Sequence, residues 1–235
     1  TKVTAIEAEK NNKVSISING SSAPKAQTTK TVANMFLEKV EKKYEITINH
    51  KVQIPIGTGF GTSAGGALTT GLALSKILHL NLTYNQIGKI AHKAEIICKT
   101  GLGTVGPLML GGWILTLEPG APGISIIDRI PLSEEYVIVC GVIKSISTKS
   151  ILNSEKMKQA VNRWGKKTLE QILFKPAPKN FMNSSLRFAE KTGFMTQNTK
   201  KLVKIAKKAI SNELTNCQLE NKIVQISTSL VNSCG

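Results

Sequence analysis

Five glycines fall within ten positions of the run Pro55-Ile-Gly-Thr-Gly-Phe-Gly-Thr-Ser-Ala-Gly-Gly-Ala67, between a stretch that alternates like a strand and one with a small-residue helical pattern. Glycines let the backbone turn through positive φ and approach a ligand with no Cβ in the way. A helix opening directly after such a loop aims unpaired N–H groups and its positive dipole end at an anion. Glu45 is the last acid before the run and Glu95 the next after it. The 49 residues between them hold no carboxylate but do hold Lys51, Lys76, Lys89 and Lys93. The run reads as a phosphate cradle.

Around it the chain alternates strand and helix signals. Residues 2–9 and 13–19 read as strands joined at Asn11-Asn12 into a hairpin with one buried face. A helix from about Thr28 to Lys43 turns Val32, Met35, Phe36, Leu37 and Val40 inward, and a second alternation follows through Ile46, Ile48, His50, Val52 and Ile54. His50 lies on its apolar face, where a core histidine with its hydrogen bonds satisfied is the expected role. Ala64 to Leu78 reads as a central helix, too apolar for the surface. Tyr84 to Cys98 reads as another, on which His92 and Glu95 share a face. A break at Thr100-Gly-Leu-Gly-Thr104 precedes strands at 113–118 and 125–130, joined by the rigid turn Pro119-Gly-Ala-Pro-Gly123. A boundary near 131–135 divides the chain. Beyond it come a strand at 136–143, helices around 149–160, 164–174, 180–192 and 196–211, and a strand at 221–227.

Composition narrows the partners. The formal charge is +16, from 31 basic and 15 acidic residues. Its densest cluster, Lys200, Lys201, Lys204, Lys207 and Lys208, interleaves with Leu202, Val203, Ile205, Ala206, Ala209 and Ile210 as the wet face of an amphipathic helix. Aromatics are 5% of the chain and form no stacking platform, so no nucleic-acid partner is expected. No apolar run reaches the roughly 18 residues of a membrane span, and an untargeted protein is expected. The four cysteines, at 98, 140, 217 and 234, lie far apart and suit a reducing compartment. The expectation is a soluble, cytoplasmic protein with no membrane partner.

Three familiar phosphate-binding designs fail on their companion residues. The common P-loop needs a Lys-Ser/Thr pair that this loop lacks. A dinucleotide fingerprint can be forced onto Gly59, Gly61 and Ala64, but it needs an acid about 20 residues on, inside the acid-free stretch. The protein-kinase loop needs companion motifs that are absent. A purely structural loop would carry the entropic cost of five glycines without return.

The pattern that fits is Pro-x-Gly-x-Gly-Leu-Gly-Ser-Ser-Ala, the ATP loop of the GHMP small-molecule kinases. Pro55 to Ala64 resembles it, with Phe60 for Leu and Thr62 for the first Ser. His92-x-Ala94-Glu95, Thr100-Gly-Leu-Gly103, Gly111-Gly112, Pro119-Gly-Ala-Pro-Gly123 and Asp128-Arg-Ile-Pro131 resemble the archaeal pantoate kinase branch in order and spacing. Phe174-Lys-Pro176, Phe181, Ser185, Phe188-Ala189 and Thr192-Gly193 resemble its helical region.

The resemblance implies an α+β, two-domain GHMP kinase fold. Residues 1–132 would form an N-terminal ATP-binding domain like the second domain of ribosomal protein S5, and residues 133–235 a ferredoxin-like C-terminal domain. It also implies ATP as cofactor with Mg²⁺, and a small hydroxy acid such as pantoate as substrate, phosphorylated on its hydroxyl on the archaeal route to coenzyme A. A homodimer is left open. Pro55, Gly57, Gly59, Gly61, Thr62, Ser63, Ala64 and Gly65 would hold the nucleotide, Ser63 and Glu95 would ligate the metal, and His92 would lie near the acceptor. Two positions depart from the branch. Thr104 stands where it carries an aspartate placed to accept the hydroxyl proton, and Thr116 where it carries an arginine. The branch also has a glycine-containing acceptor segment before the region matching Thr1 and a final strand after that matching Gly235, which leaves open both a chain truncated at its ends and a degenerate relative.

Overall fold

The computed structural model describes residues 1–101, 103–132, 140, 142 and 154–216, with side chains as far as residue 206. Its architecture is α+β. Four strands, β1 (Lys2–Ala8), β2 (Lys13–Ile18), β3 (Ser21–Ser22) and β4 (Lys43–His50), form one sheet in the order β1-β4-β2-β3. The expected hairpin of the first two strands does not form. β4 lies between them, antiparallel to β1 with Val3 opposite Ile48, and parallel to β2 with Val14 opposite Ile46. The reason is burial: Ile46, Ile48 and His50 are buried in strict alternation, whereas β1 and β2 bury no residue fully. The most deeply alternating strand takes the centre, where both of its edges are paired. A parallel pair needs a long crossover, and the segment between β2 and β4 supplies it. The real hairpin is β2 to β3, turned at Asn19-Gly20, whose φ values of 51° and 83° suit a tight two-residue turn of the primed type.

Within that crossover lies helix α1 (Gln27–Leu37), which ends six residues short of the expected Lys43. Its last turns wind off through short-range bonds, Lys39 N–H to the Phe36 carbonyl and Val40 N–H to that of Leu37. Helices α2 (Thr62–Ile77) and α3 (Tyr84–Cys98) pack with α1 around Val32, Phe36, Ile46, Ile48 and Leu74. Gly71 permits that approach, since a Cβ there would meet Ile87 Cγ2 at 3.0 Å and the Phe36 ring at 3.4 Å. α3 starts at a capping box: Thr83 accepts from the Gln86 amide while the Gln86 side chain accepts from the Thr83 amide. The break at 100–104 leads into a short helix the sequence reading did not foresee, α4 (Val105–Leu110). Strands β5 (Trp113–Glu118) and β6 (Ile126–Ile130) then pair as a two-stranded sheet.

The chain divides into two compact units, the first comprising residues 1–111 and 116–127, the second residues 112–115 and the chain from 128 onward. The described helices of the second unit are α5 (Glu155–Phe174), α6 (Pro178–Lys191) and α7 (Gln197–Asn216). α5 is one helix where two were expected around 149–160 and 164–174. Val161, Trp164, Thr168 and Ile172 keep one inner stripe continuous through Gly165, and that packing outweighs glycine's cost of about 1 kcal/mol in a helix interior. Val161 joins Phe188, Ala189, Phe194, Met195 and Val203 in this unit's core. On α7, Lys200, Lys201 and Lys204 are exposed and Val203 is buried; the side chains of Lys207 and Lys208 lie outside the described residues. The strands expected at 136–143 and 221–227, and Cys217 and Cys234, also lie outside them. No helix among the described residues is long and apolar enough to cross a membrane.

Candidate functional site

The glycine loop and the start of α2 lie in the first unit. Gly57, Gly59 and Gly61 take φ values of 74°, 85° and 69°, in the left-handed region that favours glycine. Gly61 is the N-cap of α2, so no side chain caps its first amides, and the first turn contains no acid. Thr58 folds the loop on itself by donating to the Pro55 carbonyl at 2.9 Å. Pro55, Gly57 and Gly59 are exposed, Thr62, Ser63 and Gly65 are half-buried, and Ala64 is buried against the core. Beside Gly65 there is open space: a Cβ there would meet no atom within 4 Å. These features leave a backbone surface open to an anion, with Lys51, Lys76, Lys89 and Lys93 all exposed on the same unit.

Glu95 occupies the last turn of α3 and is only 1% exposed. Thr100 donates to its Oε1 at 3.3 Å, while its Oε2 is buried without a hydrogen-bond partner. Burial pushes the carboxyl up from the usual range, and the neighbouring hydroxyls of Ser63 and Thr100 draw it part of the way back. Gly101 presses against this group, since a Cβ there would lie 2.7 Å from Oε2. Ser63, in the first turn of α2, donates to Thr28 Oγ1 at 3.1 Å, and Thr28 in turn lies 3.0 Å from Thr100 Oγ1.

The remaining expected site residues take different positions. Thr104 packs against the loop, its Cγ2 2.8 Å from where a Cβ of Gly61 would be. His92 lies one turn before Glu95 on the buried face of α3, and burial lowers its pKa. His50 is the hydrogen-bonded core histidine that its strand position implies: Nδ1 meets Thr1 Oγ1 at 2.8 Å and Nε2 meets Thr29 Oγ1 at 3.1 Å. Thr116 falls in the first unit and the exposed Arg129 in the second. The structure therefore brings the loop, Ser63, Glu95 and Thr104 together within one unit. Sequence reasoning missed Thr28. Its signal was spacing, because Thr28 falls four residues before Val32 and eight before Phe36, on the buried stripe of α1.

Among the described residues no three His, Cys, Asp or Glu side chains cluster as a self-sufficient metal site. One carboxylate with an unpaired oxygen beside one hydroxyl, that of Ser63 in the first turn after the glycine loop, instead fits a hard divalent cation that would complete its shell with phosphate and water oxygens.

Residues 27–112 match the family described as "GHMP kinases N terminal domain". A pantoate kinase of Thermococcus kodakarensis is 34% identical over 168 residues, covering 72% of this chain and 55% of that protein. A pantoate kinase of Methanocaldococcus jannaschii is 32% identical over 143 residues, covering 61% and 51% respectively. The chain thus spans about half the length of these relatives. A solved structure described as "Phosphotransferase related to CoA biosynthesis pathway" superposes with a TM-score of 0.72 at 27% identity, covering 88% of this chain and 67% of that one.

Proposed function

We propose, from the match of residues 27–112 to the GHMP kinase N-terminal domain and the similarity to archaeal pantoate kinases, that the chain transfers the γ-phosphoryl group of ATP to the hydroxyl of pantoate, giving 4-phosphopantoate. In this reading residues 1–132 form the ATP-binding domain and 133–235 the C-terminal domain. The amides of Gly57 to Gly66 hold the nucleotide's phosphates at the start of α2. Ser63 and Glu95 hold Mg²⁺, which when bound neutralises charge on the phosphate oxygens. His92, whose pKa burial lowers, is assigned to the acceptor side. The observation that carries the proposal is the unpaired Oε2 of the buried Glu95 next to Ser63. A buried carboxylate oxygen without a donor is costly, and a cation would satisfy it.

Thr104 cannot take up the hydroxyl proton as an aspartate would. Lack of a general base lowers a rate by roughly 10² to 10⁴, about 3 to 5 kcal/mol of barrier. Phosphoryl transfer rests mainly on positioning and electrostatic stabilisation, so a slow kinase is the expected phenotype. Thr104 and Thr116 also favour a second reading, in which the acceptor is another small hydroxy compound. ADP release with Mg²⁺, ATP and pantoate should depend on pantoate. Turnover only with other hydroxy acids would replace the acceptor, and ATP binding without turnover on any acceptor would leave a nucleotide-binding relative.

A further inference from the structure

The hydroxyl contacts around Glu95 form a chain with a defined direction. Ser63 donates its single proton to Thr28, and Thr100 donates its own to Glu95 Oε1. The 3.0 Å contact between Thr28 and Thr100 must then be donated by Thr28, because the Thr100 proton is already committed. Protons therefore run from Ser63 through Thr28 and Thr100 to the carboxylate. The two ends are left in complementary states: Ser63, donating to Thr28, presents oxygen lone pairs, and Glu95 presents Oε2 without a hydrogen-bond partner.

A hydroxyl ligates a cation through its lone pairs, so its hydrogen needs an acceptor elsewhere. Glu95 lies beside Ser63 and is the competing acceptor. If the Ser63 proton went there, the two candidate ligands would be bonded to each other and their open valences consumed. Thr28, 5% exposed in the first turn of α1, provides the other destination. We propose that Thr28 is the positioning residue of the cation site, holding Ser63 and Glu95 apart as ligands by taking the proton of one and, through Thr100, supporting the other. This rests on the kinase reading above.

Thr28→Val keeps the shape of the side chain and removes the acceptor. Supporting interactions of this kind typically change metal affinity by roughly 10- to 100-fold. Calorimetric titration of the full chain with ATP, at increasing Mg²⁺ and without it, reads the effect apart from turnover. Thr28→Val should raise the half-saturating Mg²⁺ concentration at least about tenfold while leaving Mg²⁺-free ATP binding within about twofold of wild type. Thr28→Ser should restore the wild-type value. Thr31→Val, on the same helix but bonded to Cys98 at 3.3 Å outside the chain, should match wild type. Thr100→Val interrupts the same chain at its other end and should raise the Mg²⁺ requirement likewise, which keeps the question open to measurement if Thr28→Val does not fold. A wild-type Mg²⁺ requirement in a folded Thr28→Val, an equal loss of Mg²⁺-free binding, or an unaltered requirement in Thr100→Val would overturn the role of Thr28 alone. A wild-type chain whose ATP binding ignores Mg²⁺ would overturn the cation site itself.

Discussion

At the scale of single residues, the carboxyl of Glu95 is the group with most at stake, because folding removes it from water and leaves one oxygen unpaired. Its pKa is raised on folding, so the folded chain holds the proton more tightly than the unfolded one. Linkage then fixes the sign: its contribution to stability is fully present below the ordinary glutamate value of about 4.3 and is lost as pH rises through the raised value. Melting temperatures of wild type should accordingly fall relative to Glu95→Gln as pH rises from about 4 to about 8. Saturating MgATP should narrow the gap for wild type only. A difference in melting temperature that ignores pH would show that Glu95 is not strained by burial. Glu95 was legible in the sequence as the first acid after a long acid-free stretch. Thr28 was not, because a threonine at a helix start ordinarily reads as a cap, and only the folded unit brings residues 28, 63 and 100 into contact.

Among the elements, α2 carries a conflict between stability and binding. Gly65 lies in its first turn with ordinary negative φ and with open space where a Cβ would be. Gly65→Ala should therefore stabilise the fold, by about 0.5 to 1 kcal/mol from helix propensity. The same Cβ would stand in the space a phosphate needs, so ATP affinity should drop at least about tenfold, about 1.4 kcal/mol by calorimetry. Unchanged affinity in the stabilised variant would place the phosphates elsewhere. The helices α2 and α3 were readable from apolar period and from the Thr83 cap. Strand order was not, because alternation in β1 and β2 shows that each has a buried face but not which partner it takes. The identity of the central strand depends on a crossover that no local pattern records. Similarly, the expected gap between 160 and 164 does not exist, because the stripe from Val161 to Ile172 packs continuously across it.

For the molecule as a whole, the excess of 16 positive charges has no acidic partners within the chain, whose 31 basic residues face 15 acidic ones. The ion pairs formed among the described residues, Lys13–Glu45, Lys42–Glu7 and Lys158–Glu155, are all exposed, a class worth little in stability. Added salt screens such repulsion over a Debye length of about 8 Å at physiological ionic strength. Raising salt from about 20 mM to 150 mM should therefore increase the melting temperature and slow the association of ATP in stopped-flow, since a positive surface attracts an anionic ligand most at low salt. Rates and melting temperatures indifferent to salt would mean that the charge is locally compensated. The order of strands in the sheet has a further consequence, for synthesis. Residues 1–42 leave the ribosome before β4, the strand on which both β1 and β2 depend, and β4 runs within a few residues into the glycine loop. The N-terminal segments must wait unpaired until the centre of the sheet arrives, so the sheet and the glycine loop emerge in nearly the same moment of translation.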